Sequence, residues 1–233
     1  MAEEQKRGSG VRIAALVFTV IVVAIGITGM ILISAVKFWI ATLVCGLFGF
    51  IGNATDKRRP KSQGIQRIIL MLLFLLIDFS MPPLSMQSSA KWQYPFQRLY
   101  AGCYQNSKEP EWFPDFMQDI ESDYHFSYSP SVMQGTGWFT VRFQTSPARA
   151  AEYEAEFADG ARYTIPVGEY GDWYVINAEK DEILSVQLDR DFWKDNTTAQ
   201  IYVLDAVLNW NHPHSSAVIV DTATGQIQFS QYG

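Results

Sequence analysis

The feature that most constrains this chain is an uncharged run near its N-terminus. Residues 13–36 (IAALVFTVIVVAIGITGMILISAV) hold 24 positions without a charged side chain. A helix rises about 1.5 Å per residue, so this segment is long enough to cross a hydrocarbon core of about 30 Å. A cleavable signal sequence competes with this interpretation, but its apolar core usually has about 7–15 residues. The run therefore predicts an N-terminal membrane-spanning helix.

Two further segments are predicted to span the membrane. Residues 38–55 are uncharged for 18 positions and follow directly after Lys37, which predicts a tight hairpin with the first span. The third segment, 64–81, reaches 18 residues only if Asp78 lies within or near the outer leaflet. Pro82 and Pro83 then end the helix, because a proline disfavours helical backbone at the preceding residue. The predicted anchor is residues 13–81.

The positions of basic residues predict the orientation. One cluster precedes the first span and another lies between the second and third spans; the members are Lys6, Arg7, Arg12, Lys57, Arg58, Arg59, Lys61 and Arg67. Because cytoplasmic loops carry an excess of Lys and Arg, residues 1–12 are predicted to be a cytoplasmic tail. Three spans then place the C-terminal region outside the cytoplasm. In the alternative two-span arrangement, residues 68–81 form a soluble core helix and that region stays inside.

Glycines in the first two spans are candidates for helix packing. Gly26 and Gly29 in one segment, with Gly46 and Gly49 in the other, lack side chains where two membrane helices could approach closely. The alternative is that glycine is common in membrane helices for other reasons.

After a linker at 82–90, residues 91–233 are predicted to form one soluble, acidic domain. From residue 85 onward there are nine Lys and Arg against twenty Asp and Glu, a net charge of −11, whereas residues 1–84 have nine against four. Such a surface repels polyphosphate, so nucleic acid is disfavoured as a ligand and a basic or neutral protein is favoured. The two cysteines, Cys45 and Cys103, lie in different regions and predict no disulfide.

The domain's pattern predicts an α+β fold with a mainly antiparallel sheet. An amphipathic helix is predicted over 96–104, with Phe96 and Leu99 in the core; the nearby Trp92, Tyr94 and Phe96 could instead lie at the membrane surface. Further predicted helices cover 114–121 and 147–159, the latter capped by Ser146. Predicted strands are 125–128, 137–143, 162–167, 172–177 and 183–188, followed by 200–207, which reads as strand or buried helix, and a terminal hairpin around DTATG.

Few residues suggest chemistry. A carboxylate at membrane depth costs about 2.5–3.5 kcal/mol on insertion scales, so Asp78 is a candidate for helix pairing, proton transfer or a pore lining; otherwise it reaches interfacial water. His212 and His214 could bind a metal from an extended segment, although a polar loop explains them as well. Hydrolase elbows, zinc motifs and phosphate loops are missing from the sequence, and no cofactor is predicted.

These features favour a non-enzymatic protein of a bacterial inner membrane. Its extracytoplasmic acidic domain would bind another protein, as an immunity or inhibitor protein, a sensor or an envelope-complex subunit. The first alternative is an oligomeric, channel-like protein that uses Asp78, with the soluble domain as sensor or gate. A weaker alternative is a periplasmic hydrolase or metalloprotein that uses His212 and His214.

Overall fold

The computed structural model describes residues 2–55, 60–80, 85–102, 113, 115, 117–131, 136–208 and 211–233. The chain divides into two compact units, Met1–Leu84 and Ser85–Gly233. They are described separately below.

The first unit consists of three helices that pack against one another. They are α1 (Ala2–Ile33), α2 (Val36–Thr55) and α3 (Pro60–Ser80). Ser34 joins α1 to α2 with a left-handed backbone (φ 57°) and donates its amide to Met30 O at 3.0 Å. This single turn reverses the chain, as the position of Lys37 predicts.

One described helix is long and apolar enough to cross a membrane. It is the Gly10–Ile33 portion of α1, with 24 residues. The apolar parts of the other two helices are shorter, Lys37–Gly52 in α2 and Gly64–Leu76 in α3. Of the three predicted spans, one is therefore supported by the length and composition of the described helices. The described apolar portions of the other two helices are shorter than the about 20 residues that a span needs.

The second unit is built on a seven-stranded antiparallel sheet, which confirms the predicted α+β class. Its strand order is β1-β2-β3-β9-β8-β7-β4, and β5 and β6 form a separate hairpin. The strands are β1 (Met86–Ser88), β2 (Ser122–Ser129), β3 (Trp138–Gln144), β4 (Tyr163–Pro166), β5 (Tyr174–Asn177), β6 (Glu182–Leu184), β7 (Gln200–Val207), β8 (His214–Asp221) and β9 (Gln226–Tyr232). The helices are α4 (Tyr94–Gly102), α5 (Pro147–Ala158) and the short α6 (Arg190–Trp193).

One face of the sheet carries an aromatic core beneath α5. Phe229 on β9 is fully buried and packs against Phe143 on β3 and against Tyr153 and Phe157 on α5, with ring centroids 5.8–6.4 Å apart. Ser146 caps α5 by accepting a hydrogen bond from Arg149 N at 3.2 Å, as predicted. Alternation along the strands places these aromatic side chains on one face.

The other face changes character across the sheet. On β4, β7 and β8 it is apolar and is covered by the chain between β4 and β7, which contributes Leu184, Val186 and Trp193. On β3 and β9 the same face is polar, with Arg142, Gln228 and Ser230 among its residues. The candidate site lies on this covering segment, in the hairpin of β5 and β6.

Several predictions within the second unit are corrected by the structure. Residues 86–88 of the predicted linker form β1, which pairs with β2. Met117–Asp119, inside the predicted helix 114–121, form a turn, while Pro114 and Phe116 lie outside the described residues. The strand predicted over 183–188 ends at Leu184, since the next residues lie across the sheet and bond to side chains on it. Residues 200–207 are a strand.

Candidate functional site

The hairpin β5–β6 presents apolar side chains to solvent. Tyr174 and Ile176 pack inward against the apolar half of the sheet, so the intervening residues point outward. Trp173 is 55% exposed and Val175 is 48% exposed. Trp173 and Val175 therefore form an exposed apolar pair on the outer side of the hairpin.

Carboxylates surround these apolar side chains in the sequence of the hairpin. Residues 167–184 contain five acidic residues against one basic residue; they are Glu169, Asp172, Glu179, Asp181 and Glu182, with Lys180. Asp181 forms the hairpin turn with a left-handed backbone (φ 52°), a conformation that aspartate tolerates. The sequence 167–184 therefore joins an aromatic side chain to a net charge of −4, and one of its carboxylates, Asp172, is paired with Arg190.

The side chain of Tyr170 attaches the start of the hairpin to the segment that follows it. Its hydroxyl accepts a hydrogen bond from Val186 N at 2.6 Å and donates to Val186 O at 3.1 Å. A tyrosine hydroxyl is protonated at neutral pH and can donate, and burial raises the pKa of Tyr170 further. An ion pair between Arg190 and Asp172 makes a second connection.

The segment 185–189 is in turn bound to the sheet by polar side chains. Ser215 Oγ donates to Ser185 O at 2.6 Å, and Ser230 Oγ donates to Gln187 O at 2.8 Å. Gln228, fully buried on β9, donates from Nε2 to Gln187 O at 2.7 Å. The backbone of this segment is paired with side chains of β8 and β9 instead of with another strand, which fixes the end of the hairpin on the sheet.

The amide oxygen of Gln228 also accepts two hydrogen bonds. Asp189 N donates to Gln228 Oε1 at 3.0 Å, and Trp193 Nε1 donates to the same oxygen at 2.8 Å. Through this one buried side chain, β9 is bonded to the segment 185–189 and to α6.

A charged cluster lies at the end of the segment 185–189. Arg142 Nε is 2.5 Å from Asp189 Oδ2, and its guanidinium lies 4.5 Å above the centroid of the Phe192 ring. His125 is adjacent across the β2–β3 pairing, and burial together with the Arg142 charge lowers its pKa. His125 is thus neutral at pH 7 and adds no charge beside the Arg142–Asp189 ion pair.

A cavity of about 240 Å³ lies beside the hairpin. Its lining residues are Tyr170, Asp172, Ser185, Val186, Gln187, Leu188, Arg190 and Tyr232. Two of its polar contacts are internal to the lining, Tyr170 with Val186 and Arg190 with Asp172. The Tyr170 hydroxyl and the Arg190 guanidinium are therefore engaged within the wall of the cavity.

The two histidines that were predicted as metal ligands do not belong to a ligand cluster in the described structure. His214 begins β8 opposite Val207, and His212 lies exposed in the preceding loop. Among the described residues, no group of three or more His, Cys, Asp or Glu side chains is placed to hold a metal ion. The metal role of His212 and His214 stays a prediction.

The other predicted site residues lie in the helical unit. Asp78 is in the last turns of α3, and its side chain lies outside the described part of the chain. A Cβ added to Gly26 would lie 2.0 Å from Thr42 Oγ1, and one added to Gly49 would lie 2.1 Å from Thr19 Oγ1. At Gly29 the added atom would be 2.6 Å from the Phe38 ring, whereas at Gly46 it would make an ordinary contact with Val23.

Two residues of interest were not singled out by sequence reasoning. Arg67, assigned above to a cytoplasmic cluster, is 8% exposed inside the helical unit, and its Nη1 lies 3.5 Å from Gly49 O. Trp173 was counted as part of a strand and not as a surface residue. The alternation of Tyr174 and Ile176 could have shown that Trp173 points away from them.

Asn196 and Asp221 form a polar cluster at the β8–β9 turn. Asn196 Nδ2 donates to Asp221 Oδ2 at 2.6 Å and to Gln226 Oε1 at 3.0 Å, so its amide hydrogens are used internally. Thr224 Oγ1 and Ala223 N also donate to the Asp221 carboxylate, at 2.6 and 3.0 Å. Although Asn196-Thr197-Thr198 matches a glycosylation acceptor pattern, this geometry makes Asn196 a structural residue.

The Asp221 carboxylate predicts a loss of stability in acid. Burial alone would raise its pKa, but the hydrogen bonds from Thr224, Asn196 and Ala223 outweigh burial and hold the pKa below 3.8. A depressed folded-state pKa stabilises the fold above the unfolded pKa, and this contribution disappears as pH falls through the folded value.

Asp221→Asn is therefore expected to lower the free energy of unfolding at pH 7 by about 1–3 kcal/mol, with a smaller deficit near pH 3. Urea unfolding of wild type and variant at both pH values measures this. Asp159→Asn, at an exposed position after α5, is the control and should change little. A deficit that is the same at both pH values would contradict the role given to the Asp221 charge.

Comparison with known protein families, with characterised proteins and with solved structures found no match to this chain.

Proposed function

We propose that this chain is a membrane-anchored protein whose acidic unit, residues 85–233, binds a basic protein partner through the β5–β6 hairpin. The observation that carries the proposal is the exposed Trp173 within an acidic hairpin that is held rigidly on the sheet. The proposed location is a bacterial inner membrane, with the N-terminus in the cytoplasm and the acidic unit periplasmic.

The exposure pattern of the first unit supports an anchor made from all three helices. Large apolar side chains point outward on each of them, for example Ile13 on α1, Leu43 on α2 and Leu76 on α3. Inside, Thr19 is fully buried and donates to Ala15 O at 2.8 Å. Apolar residues outside and small or polar residues inside suit a lipid environment, where helices associate through close packing and hydrogen bonds.

The chemistry of the hairpin supports a protein as its ligand. Interface hot spots are enriched in tryptophan, and truncating one typically costs about 2 kcal/mol or more. The surrounding carboxylates favour a partner with Lys and Arg and exclude acidic competitors. Tyr170 and Gln228 already fix the segment 185–189, which follows the hairpin. The hairpin therefore loses little conformational entropy when a partner binds.

Three kinds of protein fit this description. An immunity or inhibitor protein would bind a basic toxin or enzyme, a sensor would bind a basic signal protein, and an envelope-complex subunit would bind a permanent neighbour. All three require a tethered, acidic docking surface, and all are tested by the same experiment.

Trp173→Ala is expected to reduce partner recovery at least about tenfold, since a loss of 1.4 kcal/mol corresponds to a factor of ten. The full-length protein is purified gently from native membranes, and a stoichiometric second protein is identified by mass spectrometry and quantified. The matched control is Val207→Ala, on β7, where the side chain is 52% exposed; its recovery should equal wild type.

Salt provides a second measurement on the same complex. Raising the ionic strength from 0.05 to 0.5 M, values chosen to shorten the Debye length from about 14 to about 4 Å, should weaken binding of wild type. Equal recovery with Trp173→Ala and wild type would contradict the hairpin site. Recovery of a homo-oligomer without a second protein would contradict the whole proposal and favour assembly of the helices instead.

A further inference from the structure

The helix that opens the second unit has its apolar side facing outward. Residues 91–93 form a 3-10 turn that continues directly into α4. Trp92, Phe96 and Leu99, spaced at i, i+4 and i+7, fall on one side of this helix and are 49%, 43% and 70% exposed. We call these three side chains the α4 apolar face.

The opposite side of the same helix is buried and holds the helix on the sheet. Tyr94 is buried and meets Tyr124 of β2 edge to face, with centroids 6.5 Å apart. Gln97 is fully buried and accepts a hydrogen bond from Tyr124 OH at 3.5 Å, and Gln93 bonds to Ser88 of β1. Gln93, Tyr94 and Gln97 therefore face the protein while Trp92, Phe96 and Leu99 face solvent, whereas a surface helix usually turns its most apolar side inward.

Charge separates this segment from the rest of its unit. Residues 85–102 contain Lys91 and Arg98 and no acidic residue, a net charge of +2, within a unit whose total is −11. The first acidic residue of the unit is Glu109. A tryptophan and a phenylalanine flanked by Lys and Arg are the composition of helices that lie in the headgroup region of an anionic bilayer.

The length of the chain limits how far this face can be from the membrane. Trp92 follows Ser80, the end of α3, by only twelve positions. A fully extended chain spans at most about 3.6 Å per residue, so about 43 Å is the upper limit, and β1 already uses part of this length. A soluble partner has no such constraint, whereas a lipid surface is always within reach of a chain anchored by its helices.

We propose that the α4 apolar face docks onto the anionic lipid surface of the bilayer in which the helices are anchored. Trp92, Phe96 and Leu99 enter the headgroup boundary, and Lys91 and Arg98 lie near lipid phosphates. This orients the second unit at the membrane. The proposal rests on the membrane anchoring proposed above but not on the hairpin site.

Fluorescence quenching by labelled lipid tests the proposal in the full-length chain. An environment-sensitive fluorophore is attached at Leu99→Cys in a Cys103→Ser background, where the remaining Cys45 is fully buried. The Cys103→Ser protein without Leu99→Cys is treated with the same fluorophore, and its fluorescence measures any labelling at Cys45. Vesicles contain phosphatidylcholine and phosphatidylglycerol, with or without lipid that carries a shallow spin-label quencher.

The expected result is at least twofold stronger quenching at position 99 than at Val207→Cys, an equally apolar exposed control position on β7. Phe96→Glu should cut the quenching at 99 by more than half, whereas Val175→Glu should leave it unchanged. Removing phosphatidylglycerol should also weaken it.

Equal quenching at 99 and 207 would overturn the proposal and assign the face to a protein. Quenching at 99 that is insensitive to Phe96→Glu would overturn it as well. Failure here leaves Trp173-dependent partner recovery unaffected, and loss of that recovery leaves the quenching unaffected, so the two proposals fail separately.

Discussion

Replacing Gln228 by leucine is expected to lower the free energy of unfolding of the second unit by about 2–5 kcal/mol. The change leaves Asp189 N and Trp193 Nε1 without their acceptor and Gln187 O without one of its two donors. Each buried polar group that loses its partner costs about 1–3 kcal/mol. Leucine has nearly the volume of glutamine, so packing changes contribute little.

Urea unfolding of the reconstituted protein, followed by near-ultraviolet circular dichroism, measures the change. Hydrogen exchange of the amides at 185–193 should accelerate more than exchange in β2 and β3, because the covering segment is released first. Gln231→Leu is the matched control on the same strand. Within the described structure, Gln231 Oε1 accepts no hydrogen bond, so its loss should cost less than about 1 kcal/mol.

A stability change at Gln228 no larger than that at Gln231 would show that the covering segment is held by its apolar contacts. The hydrogen bonds would then have little net effect. In that case the preorganisation argued for the β5–β6 hairpin would lose its main support.

Replacing the neighbouring Phe229 by alanine is expected to cost about 3–5 kcal/mol. Its ring is fully buried and contacts the rings of Phe113, Phe143, Tyr153 and Phe157. Removing it opens a cavity between β9 and α5 that these large aromatic side chains can fill only partly. The same urea unfolding experiment gives the magnitude, with near-ultraviolet dichroism also reporting the loosened aromatic packing.

The control for Phe229 is Val207→Ala, at an exposed position on β7. Surface truncations usually stay within about 0.5 kcal/mol, so the two variants should differ by about 3 kcal/mol or more. Similar costs at both positions would contradict the assignment of the aromatic core to the face beneath α5.

Much of the second unit follows from local sequence patterns. Alternating apolar residues predict β2, β3 and the hairpin of β8 and β9, because a strand buries every second residue on a given face. Ser146 followed by Pro147 predicts the start of α5, since both residues suit the first turn of a helix. These signals need only neighbours in the chain, so they survive without knowledge of the tertiary fold.

The same patterns misjudged segments whose environment comes from distant residues. Phe96 and Leu99 have the spacing of a core-facing helix, but Tyr94 and Gln97 occupy the buried side because Tyr124 of β2 provides an aromatic and a hydroxyl contact there. Residues 185–189 look like a strand, yet their carbonyls accept hydrogen bonds from side chains of β8 and β9. Neither partner is visible in the local sequence.

The sequence by itself determined the apolar N-terminal helix, the acidic charge of the second unit and the antiparallel strands, since these depend on composition and on periodicity along the chain. The tertiary structure decided which apolar side chains remain outside, namely Trp92, Phe96 and Leu99 on α4 and Trp173 on the hairpin. Burial is a property of what packs against a residue, and those contacts come from strands tens of residues away. For that reason the sequence predicts Phe96 either in the core or at the membrane surface, and only the folded chain shows that it remains outside.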